Sequence, residues 1–170
     1  MTDFVGYEVE IKGLAEQMAK LDQFNPVAVK ELSRAMEQST LAVGNEWRKT
    51  APVGVSGEMR ASIGTEVKHI SGTDVQGRVG TSVQYGIYVE KGTRPHWPPL
   101  EPLKLWVQRK LDVQDVEGVA RAIQRKIGYH GTKAQPKLKE AYAKTKNQVQ
   151  GYFAAALERM AQAMEVKGGD

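Results

Sequence analysis

Apolar and polar positions change period along this chain, and the changes mark its elements. Val5, Tyr7, Val9 and Ile11 alternate with other residues, a period of two that predicts a strand within Phe4 to Lys12. Gly13 breaks the run, and Leu14 to Leu21 can form a short helix. After Asn25-Pro26 the period lengthens. Ala28, Leu32, Ala35/Met36, Ser39, Ala42/Val43 and Trp47 form one stripe, with Lys30, Glu31, Arg34, Glu37 and Gln38 as a polar back. This helix is expected to stop at Thr50-Ala51-Pro52, because a residue before proline avoids the helical region. Residues 53 to 60, VGVSGEMR, read as a glycine-rich link. Ile63, Thr65, Val67 and His69 then share one face, as do Val75, Gly77, Val79, Thr81 and Val83. Ser71-Gly72-Thr73-Asp74 between these runs is turn chemistry, so they predict a β-hairpin.

The stretch from Tyr85 to Leu103, YGIYVEKGTRPHWPPLEPL, fits no single regular element. Its opening run, Tyr85 to Glu90, is short enough to be strand or helix. Gly92-Thr93 breaks the chain, and Pro95, Pro98, Pro99 and Pro102 follow. Proline fixes φ and removes a donor, so this loop is stiff and little of its backbone can join a ladder. Arg94, His96 and Trp97 make it a candidate contact surface. Trp97 is either an anchor packed back on the body or an interface residue. Beyond the loop, Leu103, Trp106, Val107 and Lys110/Leu111 share a helical face. Asp115 is placed to cap a further helix whose apolar side is Val116, Val119, Ala120, Ile123 and Ile127.

Gly131-Thr132-Lys133-Ala134-Gln135-Pro136 repeats the Gly-Thr-basic-…-Pro pattern of the first turn. A long helix follows, with a stripe of Leu138, Ala141/Tyr142, Thr145, Val149, Tyr152/Phe153, Ala156/Leu157, Met160 and Ala163/Met164. Gly151 interrupts it at a cost of about 1 kcal/mol, and residues 166–170 are expected to fray. About 28 residues at roughly 1.5 Å each span some 40 Å, more than a small sheet can cover. The stripe therefore packs either on an oligomeric or docked partner or, in cis, on the Val27–Trp47 helix. Trp47, Trp106 and Tyr152/Phe153 sit at stripe positions and read as core.

Length and composition suit one domain over 1–170. There is no cysteine, which excludes disulfides and thiolate zinc sites. No apolar run approaches the roughly 20 residues that span a bilayer, and the N-terminus lacks secretory signal features. Charge is more informative in its distribution than in its sum. Arg121 to Lys146 holds eight Lys/Arg against Glu140 alone, hence +7, leaving −3 for the rest of a chain of net +4. Such asymmetry fits an anionic partner or a solvated helix face.

Catalytic patterns are missing. His69, His96 and His130 show no metal-ligand spacing, GxSxG is absent, and Gly54-Val-Ser-Gly57 lacks the ending of a phosphate loop. Glu8/Glu10 read as an exposed strand face. No helix-turn-helix or zinc-finger spacing appears, and the basic segment shows no interleaved exposed aromatics for base stacking. Non-specific contact with a nucleic-acid backbone, or with an acidic protein surface, is the remaining reading of that charge. No cofactor and no metal are expected.

An ordered set of segments carries a family resemblance. It comprises Ala51-Pro52-Val53 after a long helix, Gly57-Glu58-Met59-Arg60-Ala61-Ser62-Ile63, a hairpin, Tyr85-Gly-Ile-Tyr88-Val89-Glu90-Lys91-Gly92-Thr93, Gly131-Thr132…Pro136 and a final helix. The set resembles the head–tail joining (tail-completion, neck or minor tail) proteins of long-tailed bacteriophages, over roughly residues 1 to 165. Pro98-Pro99…Leu103-x-x-Trp106-Val107 with Ala120-x-Ala122-Ile123-x-x-Lys126-Ile127 resembles a longer subgroup. Met59 stands for the usual leucine, a volume-conserving swap, and Lys137 for the usual aromatic after the last proline.

The resemblance implies an α+β subunit: a small antiparallel sheet packed against a long helix in the N-terminal half and a long C-terminal helix, with a helical insertion at about 100–128. It implies a structural, non-enzymatic virion protein. Six copies would form a ring in the neck, between head-completion or connector proteins and the tail terminator or tail tube, with DNA passing through. Assembly would occur in the host cytoplasm. A tail-terminator ring is the alternative role, and a non-specific nucleic-acid-binding module an alternative of another class. Tyr85, Tyr88, Glu90, Gly92, Thr93, Arg94, His96 and Trp97 are then expected at a subunit or inter-ring contact, with Glu90, Gly92 and Thr93 as its hinge. Arg121, Arg125, Lys126, Lys133, Lys137 and Lys139 are expected to face the DNA channel or an acidic partner.

Overall fold

The structure, a computed structural model, describes residues 5–9, 26–71 and 74–167. The elements are β1 (Val5–Val9), α1 (Pro26–Thr50), α2 (Glu58–Ser62), β2 (Ile63–Ser71), β3 (Asp74–Thr81), α3 (Gly86–Lys91), α4 (Leu100–Lys110), α5 (Val116–His130) and α6 (Lys137–Lys167). The fold is α+β. The strands form an antiparallel sheet in the order β1-β3-β2, with Tyr7 and Thr65 both opposite Val79. The expected hairpin is β2–β3. Its turn residues Gly72 and Thr73, Gly13 and the expected Leu14–Leu21 helix lie outside the described residues.

Helix α1 is the spine, and it buries more than one stripe. Met36, Thr40 and Gly44 meet the sheet: a Cβ on Gly77 of β3 would lie 2.5 Å from Met36 Sδ, and one on Gly44 would lie 3.0 Å from Thr65 Cγ2. That close approach is why glycine occupies an otherwise β-branched strand face. Ala28 and Leu32 pack instead with Met160 of α6. Nearer the other end of α1, Val43, Trp47 and Ala51 join Leu138, Ala141 and Val149 of α6 in one cluster with Ile63 and Val79. The two helices are therefore antiparallel. Glu31 pairs with Arg159, and Glu46 with Lys144 at 3.3 Å.

This arrangement decides the question raised by the long final helix. Leu138, Ala141, Val149, Ala156 and Met160 of its stripe are buried in cis, with α1 rather than the sheet as the main support, while Tyr142 and Leu157 stay exposed. At about 1.5 Å per residue, the 25 residues of α1 run some 37 Å and the 31 of α6 some 46 Å. Only about 9 Å of α6 overhangs. Helix α6 runs through Gly151 without a break. Of the expected aromatic core, Trp47 is 1% exposed, whereas Trp106, Tyr152 and Phe153 are half-buried.

The segment expected as a link, 53–60, is a link only as far as Gly57. There a positive φ of 72° starts α2. Met59 is buried in the core. Arg60 donates to the Ala51 carbonyl at 2.7 Å, neutralising the carbonyl end of α1. Ser62 ties to Thr81 of β3 at 2.5 Å between hydroxyls. The Gly-x-Met-Arg-x-Ser pattern thus holds the fold together. Strand β3 ends at Thr81, short of the expected Val83, which is buried in the turn into α3 and accepts the Gly86 N–H at 3.0 Å.

The expected helical insertion is the hairpin α4–α5, which packs on itself rather than on the body. Val107 and Ala120 are its buried residues. Asp115 caps α5 as its position suggests, accepting the Gly118 N–H at 2.8 Å. Pro102 falls inside α4, in the first turn, where a missing N–H leaves no helical bond unmade.

Candidate assembly surface at the bridged glycine turns

The two Gly-Thr turns, 39 residues apart in the chain, meet in space. Thr93 N–H donates to the Thr132 carbonyl at 3.1 Å and Thr132 N–H to the Thr93 carbonyl at 3.3 Å, an isolated antiparallel bridge. The two hydroxyls sit 3.0 Å apart. Gly92 (φ 74°, ψ −179°) and Gly131 (φ 69°, ψ −162°) lie in a backbone region that is essentially glycine's alone. Space dictates glycine as well. A Cβ on Gly92 would sit 2.5 Å from the Thr132 carbonyl oxygen, and one on Gly131 would overlap the Thr93 carbonyl oxygen. The bridge is therefore the stem by which the α4–α5 hairpin leaves the body.

Tyr85 to Glu90 resolves as helix: α3 runs Gly86–Lys91. Helical spacing turns Glu90 inward, to 8% exposure. Its Oε1 accepts the Leu138 N–H at 2.8 Å, in the first turn of α6. The Val89 carbonyl accepts the Gln135 N–H at 2.9 Å beside it. Glu90 thus supplies a side-chain cap, from 48 residues away, to the Leu138 amide, which α6 cannot satisfy itself. Burial pushes its carboxyl above the usual range, opposed by the Leu138 and Lys137 amides and the Trp47 indole; nearby Glu140 adds to the rise. This corrects the placing of Glu90 on a contact surface: the residue is internal and holds α3 to α6.

The remaining expected contact residues fall into two groups. Tyr85 and Tyr88, with Ile87 between them, are exposed on α3, Tyr88 at 59%. Gly92 and Thr93 are consumed by the bridge. Arg94, His96 and Trp97 lie along α5: His96 N–H donates to the Ile127 carbonyl at 3.4 Å, and Gln124 Nε2 to the Pro98 carbonyl at 2.8 Å. Trp97 lies against Gly128, where a Cβ would come within 2.7 Å of its ring, and meets Tyr129 edge-on at 5.8 Å between centroids. Trp97 anchors the loop yet stays 61% exposed, and Tyr129 is 66% exposed. Tyr129 was missed in the sequence, although it lies inside the basic segment.

The basic segment also divides. Arg121 pairs with Glu117 at 2.6 Å and Lys137 with Glu140 at 2.8 Å. Arg125, Lys126, Lys133 and Lys139 are exposed and have no carboxylate partner among the described residues. The exposed Glu117 carboxyl is held below its usual range by Arg121 first and Lys104 second. Among the described residues no group of three His, Asp or Glu could hold a metal ion, and no helix is long and apolar enough to cross a membrane.

Residues 12–92 match the model of a family described as "Bacteriophage HK97-gp10, putative tail-component". No curated protein and no solved structure matches the chain. The matched span takes in α1, the Met59–Ser62 ties, the hairpin and α3, and it ends on the bridge glycine Gly92. The insertion and α6 lie beyond it. Over residues 12–92, then, the chain is similar to the HK97-gp10-like family of putative bacteriophage tail components.

Proposed function

We propose that this protein is a structural, non-enzymatic subunit of the phage neck. Copies of it, six in the expected ring, join the head connector to the tail tube and leave a passage for DNA. Its partners are further copies of itself, head-completion proteins on one side and the tail terminator or tail tube on the other. It assembles in the host cytoplasm and ends in the virion. The similarity of residues 12–92 to a family of putative phage tail components supports the virion setting.

The observation that carries self-association is the outer face of α3. Tyr85, Ile87 and Tyr88 expose three large apolar side chains within four residues, while Glu90 and Val89 on the inner face fasten the same helix to α6. A rigid element presenting clustered aromatics is the usual composition of an interface centre. The test is localisation: virions carrying a tagged copy should show the tag at the junction of head and tail. A tag along the tail tube or at its far end would contradict the neck reading.

A further inference from the structure

We infer that the surface where the proline loop crosses the end of α5 is a nucleic-acid contact that favours unpaired strands, built from Trp97 and Tyr129 among the cations Arg94, Arg125, Lys126 and Lys133. This goes beyond the neck assignment and uses none of the α3 residues on which self-association rests.

The Thr93–Thr132 bridge creates the surface. It sets Arg94 beside Gly131, whose Cβ position touches the Arg94 backbone, and so joins the turn that carries Arg94 to the turn that carries Lys133. Arg125 lies one turn before Tyr129 on α5 and shares its face. Trp97 lies on Gly128 between them. None of these four cations has a carboxylate partner among the described residues, unlike Arg121 and Lys137. Trp97 and Tyr129 are the exposed large apolar side chains of this region; the aliphatic Ile127 is half-buried. Protein-interface centres are depleted of charged residues, lysine above all among the cations, whereas here Lys126 and Lys133 flank the rings. Open rings flanked by cations match the stacking platform and charged track that bind single strands without reading sequence. A duplex could use the cations but not the rings.

The test uses the full chain, a fluorescent oligo(dT) and a duplex of the same length, read by anisotropy across a salt series. Wild type should bind oligo(dT) more tightly than duplex, with affinity falling as salt rises. Tyr129→Ala should weaken oligo(dT) binding about 5- to 100-fold with the salt slope kept, and Tyr129→Phe should restore it. Arg125→Ala with Lys133→Ala should flatten the slope. Absence of oligo(dT) binding at low salt, tighter binding to duplex, or an unaltered affinity in Tyr129→Ala would each overturn the inference. So would equal binding of poly-glutamate, which would assign the surface to an acidic protein. A Tyr88→Ala variant that loses self-association but keeps oligo(dT) binding separates this surface from the α3 contact.

Discussion

Replacing Gly92 by alanine tests whether the glycine bridge is a fixed joint between body and insertion. Two costs combine there. The backbone angles of φ 74° and ψ −179° cost a side-chain-bearing residue about 1–3 kcal/mol. The new Cβ would also meet the Thr132 carbonyl oxygen at 2.5 Å and the Ala134 nitrogen at 2.8 Å. Both neighbours are backbone, so relief requires the bridge to open, losing two hydrogen bonds at about 1 kcal/mol each. A total of about 3–5 kcal/mol is expected, a large share of a domain's stability. Gly54→Ala is the control. Its φ of 56° imposes the left-handed penalty of about 1–2 kcal/mol, but no atom lies within 4 Å of the new Cβ. Urea unfolding followed by circular dichroism should rank Gly92→Ala well below Gly54→Ala, and Gly131→Ala should resemble Gly92→Ala. Adding the second bridge substitution to the first should cost less than it does alone, because an opened bridge cannot be opened again. Equal losses for Gly54→Ala and Gly92→Ala, or full additivity across the bridge, would refute the fixed joint.

Other expectations follow from the same contacts. Gly151→Ala should stabilise the protein by about 1 kcal/mol, since the site is helical, exposed and open; a loss of thermal stability would mean α6 needs a flexible point there. Glu90 has a folded-state pKa raised chiefly by burial. Its protonated form is therefore favoured in the fold, and the stability it contributes is present below about pH 4.3 and is lost as pH rises through the raised value. The stability of wild type relative to Glu90→Gln should grow as pH is lowered from 7, and a difference that is flat or shrinks would contradict the buried cap. Gly77→Leu should cost about 3 kcal/mol or more by forcing Met36 and Thr40 off the sheet; near-normal stability by urea titration would show that α1 does not seat there. Tyr88→Ala should leave the monomer's unfolding midpoint unchanged while weakening self-association by sedimentation, and a reversed pattern would make Tyr88 core.

Periodic elements were readable before any coordinates. The stripe from Ala28 to Trp47, the alternation across the hairpin and the Asp115 cap each depend on neighbours within a few residues, and each is present. Contacts between distant segments were not. The repeated Gly-Thr pattern was visible, yet nothing local said that Thr93 and Thr132 bond each other. Glu90 ends an apolar run and looks like an exposed terminus; its partner is an amide 48 residues on. Tyr85 to Glu90 was ambiguous because six residues hold too few periods to tell strand from helix. The partner of α6 stayed open because a stripe shows that a face is buried without naming what buries it. Comparing helix lengths was the usable hint, since α1 is nearly long enough to cover it. Trp97 and Tyr129 gave no joint signal, because only the bridged stem brings the proline loop onto α5.

The proposed role, joining heads to tails, is tested most directly by interrupting the gene for this chain. Electron microscopy of the resulting lysate should show DNA-filled heads and complete tails lying apart, rejoined when the wild-type protein is supplied. Intact, infectious virions in that lysate would contradict the account.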